Sequence, residues 1–330
     1  MAFTLLVLLF LALIWVGADK GAAGDILNLF SGRGMRSGLH ADDSLDPGKE
    51  TREVRRTRRL RLWLFWIAVT GVVTLGMLIM NKMWYATDTA RTWHWFNDNA
   101  EWLQMDKAGH FFTVFTTSRI VMHALKNLGL TPLRAAAFAS MASFLSMSPV
   151  EYFDGFEPAY GASKGDIIAN ASGALALFLQ IRIWGRVVIA PKFSFWQSGF
   201  APLRPEVLGN SFAREMLKDY NGQTYWLNIP LNRLMPPAAR LFPEWLNLSV
   251  GQSAENMVYG REFQNLAHGF HPYRQILLSV NIGLTKTPLW KKHGHRLPFR
   301  AVAYWFEVVQ MPFPALEVGQ NGLRLHWLYI

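Results

Sequence analysis

The chain has 330 residues, of which 51% are apolar and 17% are charged, and its formal net charge is +10. The charged share lies below the ~25% that is typical of soluble domains, which favours a chain partly in a membrane. Because the sequence contains no cysteine, disulfides, thiolate zinc sites and a cysteine nucleophile are excluded.

The N-terminal third predicts membrane segments. Residues 1–17 carry no charge and are just long enough for a membrane anchor, although a signal peptide is the competing interpretation. Residues 62–82 give the strongest transmembrane signal, and the arginine-rich end of the polar linker 18–61 places that linker in the cytoplasm. The alternative role of these arginines is nucleic-acid binding, but topology and anionic lipid explain them, so no nucleic-acid partner is expected. Residues 83–105 are rich in tryptophan and predict an interfacial helix.

The central region, residues 106–189, predicts a bundle of three mostly apolar helices. They are expected over about 106–128, from Thr131-Pro132 to Ser148-Pro149, and from Asp166 to about Val188. Thr131 suits the N-cap and Pro132 the first helical position.

The C-terminal region, residues 190–330, predicts aromatic-rich loops and antiparallel strands. Strands are expected at 276–284, 301–309 and 323–330, with a turn at Asn321-Gly322. The predicted fold class is therefore a mainly α membrane protein with an N-terminal transmembrane hairpin, a central helical bundle and this strand-containing region.

Polar residues occur in pairs at helical spacing within the apolar bundle. The pairs are Asp106 with His110, Asp166 with Asn170, and Glu151 with Asp154, the last pair in the loop before the third helix. Residues four apart share one helix face. Burial of an unpartnered polar group costs several kcal/mol, so these side chains should converge. We expect His110 within hydrogen-bond reach, directly or through one water, of a carboxylate from the set Asp106, Glu151 and Asp166.

The predicted ligand-binding set is Asp106, Lys107, His110, Glu151, Asp154, Ser163, Asp166 and Asn170. The candidates for catalysis are His110, Asp106, Glu151 and Asp166. Imidazole and carboxylates suit zinc, manganese or iron. No H-E-x-x-H-type motif supports a metal, however, and no metal or other cofactor is predicted.

Three further interpretations of the cluster stay open. His110 could act as a general base on a lipid-linked substrate. The cluster could instead bind a lipid head group without turnover. It could also be a hydrogen-bonded network that locks the bundle, with Asp166 capping the third helix.

Several motifs together resemble a known family. They are DKAGHFF, PVEYFDGF and SKGDIIANASG in the bundle, then KDYNGQTYWL and VGQSAENM. This order resembles the YfiM-type family of uncharacterised bacterial envelope proteins over roughly residues 100–330. The three central helices are more distantly similar to VanZ-like membrane proteins. The resemblance implies an envelope protein with a helical core and supplies no reaction.

The predicted function is that of an integral protein of the bacterial inner (cytoplasmic) membrane. In the leading hypothesis it is non-catalytic and binds lipid, or serves as a subunit or scaffold of a membrane complex. Membrane lipid and a membrane protein complex are thus the expected partners. The alternative is a membrane-embedded enzyme that acts on an amphiphilic or lipid-linked substrate, so the question of catalysis stays open.

Overall fold

The structure is a computed structural model that describes most of the chain after residue 51. The described residues are 52–84, 92–158, 160–234, 242–294, 296–320 and 322–330. The predicted anchor at 1–17 and most of the linker at 18–61 lie outside the described residues. The last ten residues of that linker, from Arg52 onward, are helical.

Four long helices form the N-terminal half of the described chain. They are α1 (Arg52–Trp84), α2 (Met105–Asn127), α3 (Pro132–Asp154) and α4 (Lys164–Trp184). Helices α2, α3 and α4 pack against one another, and α1 adds Phe65 to their shared apolar core. A Cβ atom at Gly173 would lie 2.5 Å from the carbonyl oxygen of Phe111, so this glycine permits the close approach of α4 to α2.

Helix α3 begins as predicted but continues beyond its predicted end. Thr131 is its N-cap and Pro132 its first residue, which confirms the predicted start. The predicted end at Ser148-Pro149 is wrong, because Pro149 lies inside the helix. A proline removes one helical hydrogen bond, and burial of Met147 and Val150 against α2 and α4 offsets that loss. Glu151 and Asp154 therefore lie on a helix, and their predicted place in a loop is wrong.

The tryptophan-rich segment before α2 is largely extended in its described part. Strand β1 (Trp95–Phe96) pairs in parallel with β2 (Ala162–Ser163), and only the 3-10 turn Trp102–Gln104 precedes α2. The backbone N–H of His94 donates to the Gly155 carbonyl at 2.8 Å. These bonds to the α3–α4 connection replace the interfacial helix expected over 83–105.

The C-terminal half is a six-stranded antiparallel sheet with the strand order β3-β4-β5-β6-β7-β8. Its strands are β3 (Ala190–Phe195), β4 (Gln223–Pro230), β5 (Leu246–Glu255), β6 (Tyr273–Ile282), β7 (Phe313–Gly319) and β8 (Gly322–Tyr329). The strand predictions at 276–284 and 323–330 are confirmed by β6 and β8.

Short helices connect the strands. They are α5 (Pro205–Leu208), α6 (Phe212–Lys218), α7 (Leu231–Leu234), α8 (Glu262–Ala267), α9 (Pro288–His293) and α10 (Leu297–Trp305). The 3-10 turns are Ala201–Leu203, Tyr220–Gly222 and Leu284–Lys286. Helix α10 covers most of the segment 301–309, so the strand prediction there is wrong. A short apolar run suits either element, and Pro298 in the first turn favours the helix.

The sheet packs on the bundle through aromatic side chains. Phe112 of α2 lies against Phe193 and Tyr225, with ring centroids 5.8 and 5.9 Å away. Helices and an antiparallel sheet thus share one structure, so the predicted mainly α membrane class is wrong.

Two of the described helices are long and apolar enough to cross a membrane, over Arg59–Leu78 and Lys164–Trp184. This is weak support for membrane spans, because a core helix or a signal sequence passes the same test of length and composition.

Candidate functional site

Three helix ends meet at one polar cluster inside the bundle. Helix α2 brings Asp106, Lys107 and His110 from its first two turns, and α4 brings Asp166 and Asn170 from its start. Helix α3 brings Glu151 from its last turn. Each i, i+4 pair shares one face, as the spacing indicates.

Ser163 joins α3 and α4 at this cluster. Its hydroxyl caps α4 by accepting the Asp166 backbone N–H at 3.1 Å, and donates to Asp98 Oδ1 at 2.5 Å. Its backbone N–H donates to Glu151 Oε2 at 3.0 Å. The possibility that Asp166 caps this helix is therefore wrong: the N-cap is Ser163, and Asp166 lies in the first turn.

Lys107 is the cation of the cluster. Its ammonium lies 2.5 Å from Asp98 Oδ2, 2.8 Å from Asp106 Oδ2 and 2.9 Å from Asp166 Oδ1. A Cβ atom at Gly165 would lie 2.8 Å from Lys107 Cε, so this glycine leaves room for the lysine chain. One ammonium group therefore serves three carboxylates.

His110 is oriented by an amide and not by a carboxylate. Its Nδ1 lies 3.1 Å from Asn170 Oδ1, and since an amide oxygen only accepts, Nδ1 carries the proton and Nε2 keeps its lone pair. Nε2 lies 3.8 Å from Asp166 Oδ1, and Nδ1 lies 4.0 Å from Glu151 Oε1. We expected a hydrogen bond from His110 to a carboxylate, either direct or through one water. A direct bond to Asp166 or Glu151 is excluded by these distances, and a water-mediated bond stays a prediction.

Glu151 is buried with one oxygen unsatisfied. The residue is 5% exposed, and its Oε1 has no hydrogen-bond partner among the described residues. Asp106 Oδ1 is in the same condition. An unsatisfied buried acceptor costs about 1–3 kcal/mol, so these oxygens mark places where a bound cation or donor would stabilise the protein.

Burial shifts the acidic groups toward their neutral forms. It raises the pKa of Glu151 to about 9, that of Asp166 to about 7 and that of Asp106 to about 6. A neighbouring aspartate adds to each rise: Asp166 for Glu151 and Asp106, and Asp98 for Asp166. For Asp166 and Asp106, Lys107 offsets part of the rise. At neutral pH, Glu151 is accordingly protonated.

The pKa values of the basic groups shift in opposite directions. Burial lowers the pKa of His110 to about 4, so its imidazole is neutral at pH 7. Burial alone would lower the pKa of Lys107, but Asp106 and Asp166 outweigh this effect and raise it.

Asp98 is the carboxylate of the cluster whose pKa is lowered. Burial alone would raise its pKa, but the hydrogen bonds from Lys107 and Ser163 keep it below its usual value. The cluster as a whole has too little positive charge for its carboxylates.

Two groups of three side chains in the described residues have the spacing of metal ligands. Ligand atoms of His110, Glu151 and Asp166 lie within 4.8 Å of one another, as do those of Asp98, Asp106 and Asp166. The second group already surrounds the Lys107 ammonium. The first group shares Asp166 with Lys107, but its other two members, His110 and Glu151, have no cation beside them among the described residues. It is therefore the group that can accept a metal ion.

The structure brings most of the predicted ligand-binding residues together. The prediction omitted Asp98, and it included Asp154, which lies at the edge of the cluster. Asp98 was missed because it lies in the segment expected to be an interfacial helix. Its pairing with Lys107 has no local sequence signal. Asp154 lies one turn beyond Glu151 and acts on it through charge, raising its pKa. Asp154 belongs to neither ligand group.

Comparison with known protein families gives a match over the central helices. Residues 93–181 match a family described as "Predicted periplasmic lipoprotein (DUF2279)". This range covers less than a third of the chain and includes every residue of the cluster. No curated protein and no solved structure matches the chain.

The family description corrects the predicted function and location. A periplasmic lipoprotein is not an integral protein of the inner membrane, so that prediction is wrong in both the non-catalytic and the membrane-embedded enzyme forms. The resemblances to YfiM-type and VanZ-like proteins stay predictions.

Proposed function

We propose that this protein binds one divalent transition-metal ion between His110, Glu151 and Asp166, in the periplasm. The observation that carries the proposal is the convergence of these three ligand types around the unsatisfied Oε1 of Glu151. The description of the matching family supports the periplasmic location.

The distances within the site suit an ion better than a hydrogen bond. The 3.8 Å between His110 Nε2 and Asp166 Oδ1 is too long for a hydrogen bond. Two ligands with metal bonds of about 2.0–2.2 Å can lie that far apart around one ion. An imidazole with two carboxylates favours zinc, manganese or iron over calcium or magnesium.

The surrounding groups prepare the histidine as a ligand. Asn170 holds the proton on Nδ1 and leaves Nε2 free, which is the outer-shell arrangement usual for metal-binding histidines. A divalent ion would also supply the positive charge that Lys107 alone does not provide. Three protein ligands leave a fourth position of a tetrahedral ion open for water or a substrate.

The test is metal titration of the full chain after removal of metals by a chelator. We expect Zn²⁺ or Mn²⁺ to bind at one ion per chain and to raise the midpoint of thermal unfolding. His110→Ala should abolish this binding, whereas His123→Ala, further along α2, should not change it. Equal binding by wild type and His110→Ala, or no binding by wild type, would refute the proposal.

A second variant separates loss of the site from loss of folding. Glu151→Gln resembles the protonated glutamic acid in shape and hydrogen bonding, so the metal-free variant should fold. It lacks the carboxylate ligand and should bind Zn²⁺ more weakly. If Glu151→Gln binds the ion as tightly as wild type, Glu151 is no ligand.

A further inference from the structure

A sheet with one face in the core usually buries apolar side chains and exposes polar ones. The C-terminal sheet does the reverse. Along its inner face lie buried polar side chains from adjacent strands, among them Asn228, Ser249, Asn281 and Gln275. They bond to one another and to nearby groups: Ser249 Oγ donates to Asn228, and Asn228 donates to Gln310 at 3.0 Å. The sheet curls around this face, since Tyr329 of β8 contacts Trp226 of β4.

The opposite face, which we call outer, carries Tyr225 at the end of β4 that packs on Phe112 of α2. Beyond that contact with the bundle, the face is apolar across five strands. Paired residues form cross-strand rows: Leu227–Val250–Leu278–Leu316–Leu325, Ile229–Leu248–Val280, and Ile276–Val318–Leu323. None of these side chains is charged. Exposure is highest on the edge strand β8, where Leu325 is 55% and Trp327 is 80% exposed. We call these rows, together with Trp327, the outer apolar face.

The size of this face argues against a second copy of the chain as its occupant. Strand spacings of about 4.8 Å and a rise of about 3.4 Å per residue give the three rows a footprint of roughly 400 Å². A stable interface buries about 800 Å² on each partner. The face is nevertheless a contiguous exposed apolar patch, which marks an interaction surface.

The charge around the face favours an anionic lipid surface. Arg274, an exposed cation, lies two residues before Ile276 and therefore on the same side of β6, and the chain as a whole carries a net charge of +10. Apolar area and attraction to anionic lipid together determine the binding of a protein to a membrane surface. Trp327 at the margin of the face is the side chain favoured at the membrane–water interface.

We infer that the outer apolar face rests on an anionic phospholipid bilayer through its portion on β6, β7 and β8, with the leucine and valine side chains of these strands against the acyl boundary. The contact is peripheral: the polar inner face stays sealed within the protein. It is independent of metal binding at His110, so either proposal can fail without the other.

The experiment exploits the absence of cysteine. Single cysteines are introduced into the full chain as Leu278→Cys or Leu325→Cys, with Glu206→Cys as a control on α5, where the side chain is 67% exposed. Each is labelled with a fluorophore that shifts to the blue in an apolar environment. The labelled proteins are mixed with phosphatidylglycerol vesicles that contain lipids with a nitroxide on the acyl chain. Other apolar segments can hold the chain on vesicles, so the position of the label and not binding itself is measured.

We expect labels at positions 278 and 325 to shift to the blue and to be quenched at least about twofold more than the label at position 206. Phosphatidylcholine vesicles should give a weaker effect, because they lack the negative charge. Labels at 278 and 325 that stay as water-exposed as the control would overturn the proposal. A blue shift without lipid that nitroxide lipids do not quench would identify a second copy as the occupant, and would overturn it too.

Discussion

His110 Nδ1 lies 3.1 Å from Asn170 Oδ1, and this contact joins the second turn of α2 to the second turn of α4. The amide oxygen fixes which ring nitrogen carries the proton and so directs Nε2 toward Asp166. The Asn170 amide that orients the imidazole is neutral and is not itself a metal ligand in the proposed site. A bound cation would therefore leave the imidazole in the same orientation.

Asn170→Ala should weaken Zn²⁺ or Mn²⁺ binding about 10–100-fold, the usual effect of losing an outer-shell partner of a ligand. Gln180→Ala is the matched control, because Gln180 is also a buried amide on α4 and bonds the backbone of Val188 and Ile189. Both variants should lose stability, but only Asn170→Ala should lose affinity by calorimetric titration. Equal affinity in the two variants would show that Asn170 only supports the fold.

Replacement of Lys107 should destabilise the protein strongly. Lys107→Met leaves Asp98, Asp106 and Asp166 without their counter-ion, and breaking a buried pair costs about 3–5 kcal/mol. Lys126→Met, at the exposed last turn of the same helix, should change the free energy of unfolding by less than about 0.5 kcal/mol. Urea denaturation followed by circular dichroism measures both. A small effect of Lys107→Met would mean that the carboxylates are already neutral.

Ser163→Ala should remove the cap of α4 and the hydrogen bond to Asp98. Loss of a helix cap costs about 1 kcal/mol, and we expect about 1–2 kcal/mol in total from the two bonds. Ser163→Thr keeps the hydroxyl and should recover most of the loss, whereas Ser148→Ala, on the exposed side of α3, should be near neutral. Failure of threonine to recover stability would assign the effect to packing.

The stability of the metal-free protein should fall as the pH rises through the acidic pKa values of the cluster. The pKa of Glu151 is raised from 4.5 to about 9 in the folded protein. The contribution of Glu151 to the free energy of unfolding is fully present below pH 4.5 and is lost as the pH rises through 9. His110 acts oppositely: its pKa is lowered to about 4, so its contribution is present above pH 6.5 and is lost as the pH falls through 4. Above pH 6.5 the histidine contribution is constant.

The comparison of wild type with Glu151→Gln between pH 6.5 and 9 therefore isolates Glu151. The difference in their free energies of unfolding should decrease with pH by up to about 1.4 kcal/mol per unit. Denaturant titrations at several pH values measure it. A difference that does not vary with pH would show that Glu151 is ionised in the folded protein.

Metal binding at pH 7 should release protons. Glu151 is protonated and Asp166 partly protonated at this pH, and both must be ionised to bind the ion. Calorimetric titration with Zn²⁺ in buffers of different ionisation enthalpy should give about one to two protons per ion. Release of no protons would place the ion elsewhere.

Local sequence pattern is enough to predict the helices that carry the site. The apolar period predicted α2 almost to its ends, and Thr131-Pro132 gave the start of α3. The spacing of Asp106 with His110 placed both on one face, because a helix of 3.6 residues per turn fixes that relation locally. Strand β8 was recognisable from its alternation and from the turn signal before it.

Other features depend on how the helices and strands pack together and cannot be read from local pattern. Pro149 continues a helix because its neighbours are buried in the bundle, and Asp98 reaches Lys107 only because β1 pairs with β2 on the α3–α4 connection. The inverted polarity of the sheet is likewise a property of register: alternation reveals two faces, but only the curl of the sheet decides which face is enclosed. Whether Glu151 is protonated depends on burial and neighbouring charge, and these exist only once the three helix ends have met.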